Sequence, residues 1–571
     1  MNAMDHSAAA TAWLGGFESA LAAGDVSGAF HPDGHWRDIL AFTWELRTTS
    51  GGPAIAAALR GARARNFRLD PARSPPRRVS RAGVDCLEVI FAFDAEHGEG
   101  PMGHGLGVAR LVDGRAWTLL TALGEMAGQG HVELPDYSRE FGGENWLDKR
   151  NRARAYADHD PAVLVVGGGQ AGLSIAARLG QMGVDTLIVD RAARIGDNWR
   201  KRYHALTLHN ETSVNHLPYL PFPKTWPVFI PKDKLANWFE FYVEAMELNF
   251  WTSTELVSGH RVDDAWEVTL KRGDGSTRVM RPRHIIFATG VSSIPIKPRL
   301  PGLEDFAGTV LHSGQYSDGH AWKGKPALVL GTGNSGHDVA QDLHASGAAV
   351  RMIQRSPTYI VSLSEAQRVY SIYTEGLPIE DCDLLATSMP YPVLCDAYRR
   401  ATTHSRKLDQ PLLDSLAAAG FRLDNDEGSM GFQMKYLERG GGYYFNVGCS
   451  DLIASGEIGL VQYADVDRFI PEGVRLRDGR VVPAELLVLA TGYKNQQETA
   501  RAYLGDDVAD RIGPVWGFDA GGELRNMWRP TAQEGLWFTA GSLAQCRIYS
   551  KFLAMQIKAR ELGLVTTRGA G

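Results

Sequence analysis

Apolar residues change their period twice along this chain. Between residues 8 and 24 (AAATAWLGGFESALAAG), Trp13, Phe17 and Leu21 recur at i, i+4 and i+8, the spacing of one helix face. A second helical piece is predicted over 53–66 (PAIAAALRGARARN). Three segments then alternate as strands with turn residues between them: CLEVIFAFDAE, GLGVARLVDG and AWTLLTALGE. Helix first and antiparallel strands afterwards predicts an α+β unit over residues 1–125, an ordinary domain size. Residues 126–160 are rich in Gly, Pro and mixed charge and read as a linker, with a short helix from 144 to 156 anchored by Trp146.

From residue 161 the period changes to short uncharged runs of Val, Leu and Ile, the pattern of buried parallel strands. In PAVLVVGGGQAGLSIAARLGQMGVDTLIVD (161–190), Gly167, Gly169 and Gly172 form G-x-G-x-x-G between a strand and a helix. The next strand ends on Asp190. Glycines here let backbone amides and a helix N-terminus approach a pyrophosphate, and the acid can accept from a ribose hydroxyl pair. A second complete unit follows at 326–356. PALVL leads into Gly331, Gly333 and Gly336, then a helix, then AVRMIQ ending on Arg355 and Ser356 with Arg351 nearby. An acid repels a 2′-phosphate and arginine attracts one. The first unit therefore fits FAD or NAD and the second fits NADPH. Two different dinucleotides in one chain imply a flavoprotein reductase or monooxygenase.

The predicted fold is an α/β flavoprotein with two Rossmann-like dinucleotide-binding domains. The FAD domain spans 161–300 and 485–571, and the NADPH domain with a helical insertion spans 301–484. The strand-ending turns Ala288-Thr289-Gly290 and Ala490-Thr491-Gly492 are where the chain should cross between the two. Gly541 precedes a helix whose N-terminus could face the flavin pyrimidine edge, where negative charge builds on reduction. The aromatics after Gly440–Gly442 and the pieces from 357 to 450 fit a substrate-pocket wall or an interface core equally.

Composition narrows the classes. A 571-residue chain needs several cores, and a net charge of −6 gives no general reason to bind nucleic acid or anionic membrane. The arginines at 60, 63, 65, 68, 73, 77, 78 and 81 lack interleaved aromatics, so they read as a solvated face or a surface docking on an acidic neighbour. Five scattered cysteines without C-x-x-C fit a reduced cytoplasmic protein without structural zinc or redox dithiol. No clustered His and Cys suggests a metal, and no apolar run approaches membrane-spanning length.

Two resemblances follow from particular residues. Trp36-Arg37-Asp38 and Thr43-Trp44 before the strand series are similar to the NTF2-like (SnoaL-type) cone fold, in which His31, Asp33, His35 and Asp38 could line a pocket; turn and cap roles on a docking domain are the simpler reading. Further on, Phe306, Gly308, His312 and Tyr316 match F-x-G-x-x-x-H-x-x-x-[YF], just before the second glycine motif. With Pro221-Phe222-Pro223, and Gly196-Asp197-Asn198-Trp199 where the family has G-G-x-W, residues 161–560 resemble the class B flavin-dependent monooxygenases. Tyr316-Ser317, where Baeyer–Villiger enzymes have Trp, points to the flavin-containing monooxygenase branch.

That resemblance implies NADPH reducing FAD, O2 adding to give a C4a-(hydro)peroxyflavin, and one oxygen passing to nitrogen or sulfur of a small organic substrate. Trp199 and His312 become cofactor-binding, and Asn210 stands where many members have an active-site asparagine near the flavin. Three other outcomes stay open: Baeyer–Villiger oxidation, oxidative decarboxylation of an aryl 2-oxo acid, and an NADPH oxidase or redox sensor that oxygenates nothing. The expected partners are small molecule and O2, with room for a homodimer.

Overall fold

The computed structural model describes residues 3–96, 103–129, 141–424 and 428–565. Helix Ala3–Ala23 buries Trp13, Phe17 and Leu21 against a mainly antiparallel sheet, in which Phe30–Ile39 and Arg115–Met126 pair in parallel. The sheet runs Leu46–Ser50, Phe30–Ile39, Arg115–Met126, Gly103–Val112, Val84–Glu96 and Arg63–Leu69, with Arg77–Arg81 also paired to Val84–Glu96. One prediction fails here. Residues 53–66 are not one helix: Gly52–Ala58 is helical, and the arginine-rich end is the strand Arg63–Leu69. Its Ala and Arg residues have high helix propensity, but Phe67 lies between them and stacks on Phe93 with ring centroids 5.2 Å apart. Burial of that ring against the sheet overrides the local preference.

The helix Trp146–Ala155 follows the linker, much of which (130–140) lies outside the described residues. Trp146 is not its anchor, being half exposed with its indole N–H on Glu247. Tyr156 takes that place, fully buried, with its hydroxyl donating to Asp185 at 2.7 Å.

Two parallel sheets carry the nucleotide units. The first is ordered Asn249–Trp251, Thr186–Val189, Val163–Val166, His284–Phe287 and Leu536–Phe538. The second is ordered Thr309–His312, Leu486–Leu489, Pro326–Leu330, Ala349–Gln354 and Gly459–Gln462. In each, the glycine-motif strand is central and its four core positions are fully apolar, which suits burial on both faces. The chain crosses at 288–295 and returns at 490–495, where Pro295 and Tyr493 pair. Because Leu486–Leu489 belongs to the second sheet, the return lies beyond Leu489 and not at 485.

Between strands of the second domain, the helices Ile379–Thr387, Tyr391–Ala418 and Gly431–Arg439 form the predicted helical insertion. The N-terminal sheet docks on it through part of the arginine run. Arg73 meets Asp381 at 3.0 Å, and Arg77 and Arg81 each meet Glu375 at 2.6 Å. The run therefore divides: Arg73, Arg77 and Arg81 dock on acidic residues at 375 and 381, whereas Arg60, Arg63, Arg65, Arg68 and Arg78 are exposed. No helix among the described residues is long and apolar enough to cross a membrane.

Candidate active site and nucleotide cradles

Each glycine motif is shaped by close backbone approach. At Gly167 φ is +110°, and a Cβ there would lie 2.7 Å from the Ala288 carbonyl oxygen; at Gly172 it would lie 2.0 Å from that of Gly167. Any side chain would therefore push the helix Gln170–Gln181 off its strand and close the gap at its N-terminus. Gly169 is the N-cap. Asp190 accepts from the Gly168 amide at 2.7 Å and the Ala192 amide at 2.8 Å, which holds its carboxylate at the mouth of the loop. The second unit repeats this arrangement. Gly331 has φ +119°, a Cβ at Gly336 would lie 2.1 Å from the Gly331 carbonyl, and Gly333 caps Asn334–Ala345.

A hydrogen-bonded chain through Gln170 connects two of the predicted FAD residues. Trp199 donates its indole N–H to Gln170 at 3.2 Å, and Gln170 donates its amide to the Gly541 carbonyl at 3.1 Å. After Gly541, Ser542 and Gln545 form a capping box on the helix Leu543–Glu561. Tyr436, from the insertion, donates to the same Gln545 at 3.0 Å. The helix N-terminus is thereby fixed beside the first glycine loop.

Arg355 and Ser356 are exposed in a cleft of about 780 Å³, whose wall also carries Arg439, Lys494, the turn Gly440–Gly442 and the crossing loop 491–496. Gln496 lines that cleft, is 3% exposed, and has no partner for either amide atom. An orphaned buried donor and acceptor facing a cationic cleft fits a polar anionic ligand such as NADPH. Gln496 carries no sequence motif and was not predictable. His312 lies behind this cleft. It is buried, donates Nε2–H to the Gly492 carbonyl at 3.2 Å, and accepts from the Gly314 amide at Nδ1. Burial lowers its pKa, so the ring is a neutral brace for the crossing loop. Tyr316 is likewise structural, its hydroxyl bonded to Asp342 at 2.6 Å.

Asn210 sits on the strand Thr207–Glu211 and donates its amide to the Tyr370 hydroxyl at 3.3 Å. Tyr370 lines a separate cavity of about 410 Å³. Its wall takes Ser542, Ala544 and Gln545 from the helix N-terminus beside the first glycine loop, aromatic rings including Tyr398, Phe518 and Trp528, and Arg37, Arg81 and Arg110 from the N-terminal unit. The pieces from 357 to 450 divide between the two predicted roles: Tyr370, Tyr373, Gln433 and Tyr436 line this cavity, whereas Tyr443, Tyr444 and Phe445 pack in the core.

Arg37 is a further tie between the N-terminal unit and the rest of the chain. Its guanidinium makes two bonds to Glu523, at 2.9 and 2.7 Å, and a third to the Thr387 carbonyl at 2.6 Å. The predicted pocket residues of the N-terminal unit do not line the cavity. Asp38 is buried and caps a turn, accepting from Thr121, Thr43 and Phe42, with burial pushing its pKa up to about 6. His35 pairs with Ser50 at 2.8 Å, and His31 and Asp33 lie on the same turn-bearing strand.

Known proteins match part of this chain. The family described as "Pyridine nucleotide-disulphide oxidoreductase" matches residues 164–375. The five cysteines are all buried and none lies in a C-x-x-C pair. The chain is 30% identical over 338 residues to indole-3-pyruvate monooxygenase YUCCA1 of Oryza sativa subsp. japonica, covering 59% of this chain and 77% of that one. It is 29% identical over 342 residues to the probable indole-3-pyruvate monooxygenase YUCCA3 of Arabidopsis thaliana, covering 58% and 73%. Among solved structures, cyclohexanone monooxygenase of Rhodococcus sp. Phi1, bound to NADP+, superposes with a TM-score of 0.52 at 17% identity, over 71% of this chain and 84% of that one. The N-terminal α+β unit lies outside the family match. With both nucleotide cradles in place, the chain belongs to the class B flavin-dependent monooxygenases, enzymes that use FAD and NADPH.

Proposed function

We propose that this enzyme transfers one oxygen atom to nitrogen or sulfur of a small aromatic substrate held in the 410 Å³ cavity. Overall, substrate, O2, NADPH and H+ become oxygenated substrate, NADP+ and water. FAD and NADPH supply the reducing equivalents and the activated oxygen. Gly167, Gly169, Gly172, Asp190, Trp199 and Gly541 would hold FAD, and Gly331, Gly333, Gly336, Arg355 and Ser356 would hold NADPH, with His312 bracing the crossing loop. Asn210 presents an amide donor from beside Tyr370, a neutral group that offers no strong acid to the reacting centre. The aromatic walls exclude water, which keeps activated oxygen from being lost before transfer. The observation that carries this reading is the cavity itself, which joins the Asn210–Tyr370 pair to the helix N-terminus at Ser542.

A second reading has its own support. The only carboxylate on the cavity wall, Glu523, is taken up by Arg37, while Arg81 and Arg110 add positive charge. A cationic amine finds no free acid there, whereas a 2-oxo acid would suit it, as the names of the curated relatives suggest. We also read the N-terminal unit, a mainly antiparallel sheet packed on its first helix, as NTF2-like. Product analysis with 18O2, NADPH and thioanisole, N,N-dimethylaniline, phenylpyruvate or cyclohexanone separates the readings. Labelled sulfoxide or N-oxide supports heteroatom transfer, and labelled phenylacetate with CO2 release supports the second. Lactone as the main product overturns both.

A further inference from the structure

The cavity wall contributed by the N-terminal unit has an unbalanced charge. Arg110 lies on the strand Gly103–Val112 with its side chain fully buried. Around it, three guanidinium groups share two carboxylates. Glu88 meets Arg110 at 2.9 Å and Arg81 and Arg77 at 2.8 Å, and Glu375 meets Arg77 and Arg81 at 2.6 Å. One positive charge is left over. Both carboxylates are committed to Arg77 and Arg81, which leaves Arg110 with a single carboxylate bond. Its Nη1 reaches only the Thr118 hydroxyl, at 3.4 Å, and its Nη2 has no partner. Arg110 and Arg81 are on the cavity wall, and Glu88 and Glu375 are not. The other ionic groups on that wall are already paired: Arg37 with Glu523, and Arg368 with Glu365 outside the cavity.

An unpartnered donor on a buried cation is expected where a ligand completes the set. We infer that the N-terminal unit supplies an anion subsite centred on Arg110, so that the cavity selects an aromatic substrate bearing a carboxylate or similar anionic group. The anionic group would sit against the N-terminal unit and the ring among Tyr398, Phe518 and Trp528. The other end of the substrate then faces Tyr370 and Ser542, at the nucleotide side. The unit that lies outside the family match would therefore act as a specificity element, with Arg110 as a binding residue.

This inference rests on the cavity being the substrate site, and its test needs no turnover. Calorimetric titration of the FAD-loaded full chain with 3-phenylpropanoate and its neutral isostere 3-phenylpropanamide reads the subsite directly. The acid is expected to bind at least about tenfold tighter than the amide. Arg110→Gln should bring the two within about threefold by weakening only the acid. Thr118→Asp keeps the guanidinium but places a carboxylate beside it, and should abolish the preference even if the first variant folds poorly. Equal binding of acid and amide by the wild type, or a preference that survives Thr118→Asp, overturns the subsite. A subsite confirmed by titration alongside failure to incorporate 18O into any product would leave it standing and refute the oxygenation reading instead.

Discussion

Removing Glu523 should separate the N-terminal unit from the rest of the enzyme. The Arg37–Glu523 pair joins residues 486 positions apart, with side chains only 10% and 5% exposed. Its two parallel bonds form a bidentate fork, and Thr48 donates a further bond to the same carboxylate at 2.9 Å. Substituting Glu523→Ala leaves a buried guanidinium with only the Thr387 carbonyl and the Tyr549 hydroxyl as partners. Breaking one side of a buried pair costs about 3–5 kcal/mol, because the remaining charge stays desolvated. For a unit of this size, the first calorimetric transition should fall by on the order of 10 °C. Replacing both residues by Met should recover most of that loss, since two well-packed apolar groups avoid the desolvation cost altogether. A double-mutant cycle over Arg37→Met and Glu523→Met measures the coupling. A shift below about 2 °C in Glu523→Ala, or a coupling under about 0.5 kcal/mol, would refute the claim that this pair holds the interface.

Three further outcomes are expected. Arg355→Ala should raise the KM for NADPH by roughly ten- to a hundredfold through loss of a charge-assisted phosphate contact, with little change for NADH; equal changes would remove Arg355 from the 2′-phosphate site. Gly172→Ala should be purified without FAD, read as the ratio of flavin to protein absorbance, because the added Cβ meets the Gly167 carbonyl at 2.0 Å; full flavin content would contradict the cradle. His337 is buried against Tyr444 and its pKa falls to about 4, so the unfolded chain binds more protons than the folded one between about 6.5 and 4. Stability is therefore complete above about pH 6.5 and declines as pH falls toward 4, by on the order of 3 kcal/mol; His337→Phe should flatten that decline in thermal melts, and an unchanged acid slope would exclude His337 as its source.

What could be read from the sequence was what is encoded locally. Each nucleotide cradle needs glycines at fixed offsets within one strand–turn–helix, so Gly167 to Asp190 and Gly331 to Arg355 identified themselves. Their end residues, Asp190 against Arg355, are the basis on which we propose FAD for the first and NADPH for the second. The helix start after Gly541 was legible for the same reason. The cavity was not, because Arg110, Tyr370, Gln433 and Tyr549 come from four distant segments and meet only through tertiary packing. One signal was available there: Glu88 interrupts the apolar run 86–93 and Arg110 the apolar run 106–112, and buried charges in neighbouring strands must pair. The segment 53–66 misled because alanine and arginine favour helix, and only the burial of Phe67 shows that the sheet prevails. Gln496 gave no signal at all, since an unsatisfied amide is visible only once its surroundings are known.

The most direct test of monooxygenation is to reduce the FAD-loaded enzyme anaerobically with NADPH, mix it with oxygenated buffer, and follow hydrogen peroxide release. With NADP+ retained in the cleft and water excluded from the cavity, release should be slow and should become faster when Arg355→Ala weakens NADP+ binding. Prompt, stoichiometric release of hydrogen peroxide that does not depend on NADP+ would instead mark the protein as an NADPH oxidase and contradict the monooxygenase account.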